Sequence, residues 1–308
     1  MTTVPDGVYP TMVTPFTEDL QVDTNALPPL MRWYEERGVT GVFAICQSSE
    51  IFYLSFEERL RILRGIMRTR SPGTVVLASG HTACGPRTQI AEAQAFIAEG
   101  IDAYVFISNR FAAENESDDI FLRRIEHAAK ALPDLPLGIY ECPYPYKRLL
   151  SPAVIRQLGG IANFAFLKDT CCDLAQIQAK LEAARQTGLK IFNANSATLL
   201  ESLRLGCAGF SGVMGNFHPQ LYARLCACWR DEPALAQRLQ AFLGMASLAE
   251  AQQYPVNAKY AIALDGVPLG IHSRARDAGA FRRCEALQIE QLRAMAGEME
   301  ASVLPPRC

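Results

Sequence analysis

Short, uninterrupted apolar runs alternate with amphipathic stretches of helical spacing, and this alternation fills the chain to about residue 225. The runs cover 7–16, 42–46, 74–79, 103–107, 137–140, 164–168, 190–194 and 208–213. Helical spacing covers 25–37, 56–70, 87–98, 118–131, a short piece from Pro152, 174–186 and 197–205. A strand with one wet face alternates polar and apolar residues. These runs do not, so both faces are covered, as in a parallel sheet. Eight strand–helix repeats in this order predict an α/β fold, a (β/α)8 TIM barrel. Helix starts carry their own caps. Ser55-Phe-Glu-Glu58 fits a capping box, and Ser151 precedes a proline at the first helical position. The remaining sequence reads as helices over 234–248, 258–263 and 278–296. The expected division is a barrel over 1–225 and a C-terminal helical extension over 226–308, packed on the barrel with no low-complexity linker between them.

Composition narrows the partners. Thirty basic residues face thirty-two acidic ones among 308, a net charge of −2. No broad basic field is available for nucleic acid or an anionic membrane. No run of ~18 uncharged apolar residues occurs. The N-terminal Met1-Thr-Thr-Val-Pro-Asp6 has neither a basic start nor an apolar stretch, so no signal peptide is expected there and a cytoplasmic location is. Ten cysteines, from Cys46 to Cys308, form no Cys-x-x-Cys pair and read as reduced structural thiols. The four histidines show no metal-ligand spacing, and no glycine-rich phosphate loop is present. Neither a metal nor an organic cofactor is expected.

Reactive side chains of such barrels stand at the C-terminal ends of strands. The sixth run ends Phe164-Ala-Phe-Leu-Lys168 and the fifth ends Leu137-Gly-Ile-Tyr140. Adjacent strands would set the lysine beside the tyrosine. An ordinary lysine, with a pKa of ~10.4, is neutral in only about one copy in a few thousand at pH 7. Burial disfavours the ammonium, and each unit of lowering multiplies the free amine tenfold. A free amine can attack a ketone to form a Schiff base, and a neighbouring phenol can carry a proton. By position alone, a lysine snorkelling from a strand end and a tyrosine capping the core are the readings to beat.

Several segments, in order, resemble those of the dihydrodipicolinate synthase and N-acetylneuraminate lyase family, the pyruvate-dependent class I aldolases. They are Thr14-Pro15-Phe16, Cys46-Gln-Ser-Ser-Glu50, Tyr140-Glu-Cys-Pro143, Lys168-Asp-Thr170, and Gly206-Cys-Ala-Gly209 with Gly212, Val213 and Asn216. The resemblance implies a lyase with Lys168 as Schiff-base lysine and Tyr140 as proton carrier. Gln47 and Ser48 would hold the carboxylate of a 2-oxo acid, with Ser48 also passing a proton to Tyr140. The Ser211 carbonyl and Thr170 would contact substrate, and Glu50 would brace its loop. The implied partners are a small 2-oxo acid and an aldehyde, and the implied state is a homodimer or homotetramer. Departures bear on substrate. Cys46 and Ser49 replace two loop glycines. Pro145 stands where the synthases carry an arginine, and Ser108 where they carry a tyrosine of a relay between subunits. Asn193-Ala-Asn195-Ser196 lacks the acidic pair of the sialic acid lyases. Lysine biosynthesis and sialic acid cleavage are therefore both disfavoured. Lys147 and Arg148 read as a solvated basic pair or as a site for a distal anion. Two alternatives stay open: a Schiff-base sugar-acid dehydratase, and a non-catalytic homologue that binds 2-oxo acids.

Overall fold

A computed structural model describes residues 4–304, so the N-terminal Met1–Thr3 and the thiol of Cys308 lie outside the described residues. Eight parallel strands form one sheet in the order β1-β8-β7-β6-β5-β4-β3-β2. They are β1 Gly7–Val8, β2 Gly41–Phe43, β3 Val75–Ala78, β4 Ala103–Ile107, β5 Leu137–Tyr140, β6 Phe164–Asp169, β7 Lys190–Asn193 and β8 Gly209–Phe210. The seam between β1 and β2 closes through a parallel bridge, Thr11 to Phe43, with Thr40 N–H donating to the Val8 carbonyl and Phe43 N–H to that of Pro10. The sheet is thus the expected barrel.

The first run, expected over 7–16, yields only Gly7–Val8 as regular strand. Pro10 and Pro15 lack the N–H a ladder needs. Helices α1 Leu27–Glu35, α2 Phe56–Thr69, α3 Pro86–Ala98, α4 Asp118–Lys130, α5 Pro152–Leu158, α6 Leu174–Ala184, α7 Leu199–Leu205 and α8 Pro219–Cys228 form the outer ring. The capping box at α2 is formed in both directions: Glu58 N–H donates to Ser55 Oγ, and Ser55 N–H to the Glu58 carboxylate. Ser151 Oγ accepts from Val154 N–H at the start of α5. Helix α8 runs through the expected boundary at 225. Helices α9 Pro233–Ala246, α10 Val256–Leu264 and α11 Arg283–Val303 then pack on the barrel. The last of these begins later than the expected 278. Asp277 caps a separate short turn over Ala278–Ala280 first.

Aromatic rings fill the barrel's interior just below its C-terminal rim. Phe166 stacks on Phe192 at 4.7 Å, and Tyr9 meets both rings edge-on at 5.9 and 5.2 Å. Phe43 meets Phe166 at 6.1 Å and Tyr140 at 5.6 Å. This layer is the dry floor on which the functional side chains stand. Among the described residues no helix is long and apolar enough to cross a membrane.

Candidate active site

Successive side chains of a strand point to opposite faces. The ends of β5 and β6 use that alternation to separate two kinds of chemistry. Tyr140 and Lys168 are register partners and point into the barrel. Their successors Glu141 and Asp169 point outward, where Lys180 of α6 reaches both carboxylates at 2.6 and 2.5 Å. Glu141 also accepts from the N–H groups of Leu150 and Thr170. Burial, with the charge of Asp169 added, raises the Glu141 carboxyl to about 7 against the pull of Lys180. The outward cluster is sealed from solvent, since all three side chains are at most 2% exposed.

The inward pair is left without a carboxylate partner. Lys168 is buried, with Nζ 4.5 Å from the centre of the Tyr140 ring and 5.8 Å from that of Phe43. Burial lowers its pKa, although the nearby Cys46, Cys142 and Glu250 act in the opposite direction. Burial pushes Tyr140 well above the ordinary phenol range. The resting pair is therefore a protonated phenol next to an amine that gives up its proton more readily than a surface lysine. That is the arrangement imine formation requires.

The segment after β2 forms the opposite wall. Gln47–Ser49 make a single turn whose first N–H groups, those of Gln47 and Ser48, have no acceptor within the turn. Such donors suit a carboxylate. The missing glycines do not distort it: Cys46 is extended at φ −158°, and the left-handed position falls on Glu50 at φ 60°. Thr14 donates to the Ser49 carbonyl at 2.7 Å, and the Met12 and Ala44 carbonyls, at 2.7 and 2.9 Å, share the single proton of the Ser49 hydroxyl. The Thr-Pro-Phe segment is thus the strut of this loop. Glu50 braces it from beneath, accepting from Lys259 Nζ, Ser273 Oγ and the N–H groups of Arg274 and Ala275.

Most of the residues named from sequence meet around one cavity of about 630 Å³, within the ~300–1,000 Å³ usual for small-molecule sites. Gln47, Ser48, Tyr140, Lys168 and Thr170 line it. Two details differ from expectation, at Ser48 and at Arg148. The Ser48 hydroxyl bonds Thr11 Oγ1 at 3.0 Å, and it is Gln47 Oε1 that takes the Tyr140 hydroxyl, at 3.4 Å. Ser211 is not among the lining residues; its hydroxyl donates to the Tyr9 carbonyl, which leaves its own carbonyl, the atom the resemblance names, for any contact with substrate. Arg148 is not solvated. It is 9% exposed and bonds the carbonyls of Ala113 and Glu116 and the Asp118 carboxylate. Lys147 does reach the cavity, with Nζ on the Thr170 carbonyl at 2.9 Å. Thr170 Oγ1 itself is spent on the Glu141 carbonyl.

The C-terminal extension supplies walls that the sequence did not announce. Glu250, Tyr254 and Arg276 all line the cavity. Their segments have no hydrophobic period, and only the Tyr254-Pro255 dipeptide marked a turn before α10. Ser108 Oγ donates to the Arg148 carbonyl, and Asn109 Nδ2 bonds the carbonyls of Cys142, Tyr144 and Tyr146. Those contacts shape the loop after β5, which supplies Pro143, Tyr144 and Lys147 to the cavity wall.

An amine on a barrel strand, desolvated, without an ion pair among the described residues and set against a phenol, is what an imine-forming lyase of the class I aldolase type requires. The dihydrodipicolinate synthetase family model matches residues 4–276, and the chain belongs to that family. It is 27% identical over 273 residues to YagE of Escherichia coli, named as a candidate 2-dehydro-3-deoxy-D-gluconate aldolase, covering 86% of this chain and 89% of YagE. It is 23% identical over 232 residues to the 4-hydroxy-tetrahydrodipicolinate synthase of Pseudomonas aeruginosa, covering 75% and 78% of the two. The crystal structure of YagE with pyruvate superposes with a TM-score of 0.85 at 24% identity, covering 96% of this chain and 98% of that one. The sialic acid aldolase of Ruminococcus gnavus superposes at 0.87 and 18% identity, covering 97% and 99%. These superpositions establish the common fold.

Proposed function

We propose that the protein makes or breaks the C3–C4 bond of a hydroxylated 2-oxo acid through an imine on Lys168, releasing or consuming pyruvate and an aldehyde. The observation that carries this reading is the Lys168 amine 4.5 Å from the Tyr140 ring, with both neighbouring carboxylates turned away to Lys180. The amine adds to the ketone carbon. Tyr140, protonated at rest, gives its proton to the carbinolamine oxygen, and water departs. The phenolate left behind faces the new iminium, which stabilises it. The phenolate then takes the proton of the C4 hydroxyl as the C3–C4 bond breaks, and the electron pair enters the iminium to give an enamine and a free aldehyde. Protonation at C3 and hydrolysis return pyruvate and the lysine. The Gln47 and Ser48 amides hold the carboxylate throughout, which fixes the ketone against the amine. The cavity is roomy enough for a chain longer than pyruvate, and Lys147, Asn195, Glu250 and Arg276 give its outer part a polar lining. Pro145 and Ser108 argue against 4-hydroxy-tetrahydrodipicolinate synthesis. We place the enzyme in the cytosol as a homodimer or homotetramer.

The test is incubation with pyruvate and borohydride, followed by intact mass and peptide mapping. A reduced pyruvyl adduct on Lys168 is expected, and an unmodified lysine would overturn the reading. Its pH dependence has a definite sign. Only the neutral amine attacks, so trapping rises with pH, and its midpoint lies below the 10.5 of an ordinary lysine because burial favours the neutral form. No alkaline loss from Tyr140 is expected near pH 10, since burial keeps that phenol protonated. With substrates found by screening hydroxylated 2-oxo acids, cleavage shows as pyruvate plus an aldehyde, whereas dehydration keeps every carbon in one product.

Tyr140→Phe isolates the proton carrier. The variant is expected to keep the trapped adduct at equilibrium and lose ~10²–10⁴-fold in turnover, the range for a positioned acid–base group. Turnover within a few-fold of the unmodified enzyme would remove Tyr140 from the mechanism.

A further inference from the structure

The Ser48 hydroxyl belongs to a buried cluster that the proposed mechanism does not use. Ser48 Oγ donates to Thr11 Oγ1 at 3.0 Å. Tyr254 is half-buried on the wall of the same cavity; its hydroxyl meets Ser48 and Thr11 and accepts from Asn216 Nδ2 at 3.0 Å. Tyr254 comes from the C-terminal extension. It is held against the Ser48 loop because Lys259, farther along the same segment in α10, is bonded to Glu50. Each hydroxyl has one proton to give. Asn216 already fills an acceptor position on Tyr254, so the Tyr254 proton is free for Thr11 or Ser48.

We propose that Tyr254 is a positioning residue for 2-oxo acid binding: its hydroxyl replaces Ser48 as the donor to Thr11, which frees Ser48 to turn its proton to the bound carboxylate. The inference rests on the imine reading given above. Its physical basis is the cost of leaving a buried polar atom without a partner. Ser48 can leave Thr11 cheaply only if another donor takes its place. Without the Tyr254 hydroxyl, each carboxylate that Ser48 binds orphans Thr11, and the cost is charged to binding rather than to the chemistry that follows. Tyr254 is thereby a specificity device for acids, carried by a segment outside the barrel.

Tyr254→Phe removes one oxygen and keeps the ring. In borohydride trapping with pyruvate, the half-saturating concentration is expected to rise on the order of tenfold, the loss of about one charge-assisted hydrogen bond. The trapping rate at saturation should stay within about twofold to threefold. A role limited to holding the fold would instead reduce the saturating rate or the active fraction. Ser48→Ala should show the same rise, and the double variant should show no further rise, because the two act through one bond. An unchanged half-saturation in Tyr254→Phe, or additive losses in the double variant, overturns the proposal. If the phenylalanine variant does not fold, a ring-fluorinated tyrosine at 254 keeps the hydroxyl. Its fluorine resonance should move when pyruvate saturates the protein and stay still in a Ser48→Ala background, and a resonance indifferent to pyruvate overturns the proposal. A parent enzyme that forms no adduct with pyruvate would remove the imine reading and this inference together. An adduct in the parent with an unchanged Tyr254→Phe would remove the inference alone.

Discussion

Lys168→Ala is expected to abolish the borohydride-trapped pyruvate adduct and to cut turnover by at least ~10⁴-fold, as removal of a covalent nucleophile does, while leaving thermal stability nearly unchanged. The loss of function follows because the electron sink is built on this one nitrogen, and no other amine among the named cavity residues stands on the aromatic floor. Lys147 is on the outer part of the wall and donates to the Thr170 carbonyl. The neutral effect on stability follows from the absence of a partner. Removing Lys168 breaks no ion pair among the described residues, because Glu141 and Asp169 are held by Lys180, and Glu250 loses only a nearby charge. The variant loses the packing of the lysine stem and leaves a small void, which costs stability. It also loses a desolvated amine, which returns some. These terms oppose one another, so a net change of no more than about 1–2 kcal/mol is expected. Intact mass after trapping and a thermal melt check both parts. A trapped adduct in Lys168→Ala would place the reactive amine elsewhere.

The legible part of this molecule is the part that local pattern controls. β5 and β6 are where the apolar runs put them, because a strand covered on both faces must be apolar throughout, and the polar residue that ends each run marks the rim. Tyr140 and Lys168 were visible for that reason. Their separation from Glu141 and Asp169 also follows from period two. What no local pattern could give is the partner of those acids: Lys180 lies on the following helix, and its match to Glu141 spans 39 positions. Arg148 was misread for the same reason. Beside Lys147 it looks like one half of a solvated pair, yet it reaches Asp118 on α4 and becomes part of the wall behind the loop. Tyr254 lies in a stretch between α9 and α10 with no period at all, and long-range bonds, Asn216 to its hydroxyl and Lys259 to Glu50, bring it to Ser48. The replaced glycines show that a departure from a pattern need not reshape a loop: between Cys46 and Glu50 the backbone uses the left-handed region only at Glu50.

Lys180→Met should carry the stability cost that Lys168→Ala lacks, although both are buried lysines on neighbouring elements. Methionine keeps the length and removes the charge, so Glu141 and Asp169 are left facing each other in a dry site. Breaking a buried pair from one side costs about 3–5 kcal/mol, and for a chain of this size that lowers the melting temperature by roughly 10 °C. The deficit carries a pH signature. The Glu141 carboxyl already sits at about 7 in the presence of Lys180, because burial and Asp169 outweigh the lysine. Without the lysine it rises further. A carboxyl whose folded pKa lies above its unfolded one is stabilised in its protonated form, and it loses that stability as pH rises through the folded value. The deficit of Lys180→Met should therefore be largest near pH 8 and shrink as the pH falls toward about 5.5, where Glu141 is neutral. Adding Glu141→Gln should recover part of the loss at pH 8. A deficit equal at both pH values, or one not relieved by the glutamine, would mean that the cost is steric rather than electrostatic. The same variant should lose activity below its melting temperature, because Glu141 and Asp169 directly follow Tyr140 and Lys168, and repulsion outside the barrel moves the strand ends that set the amine against the phenol.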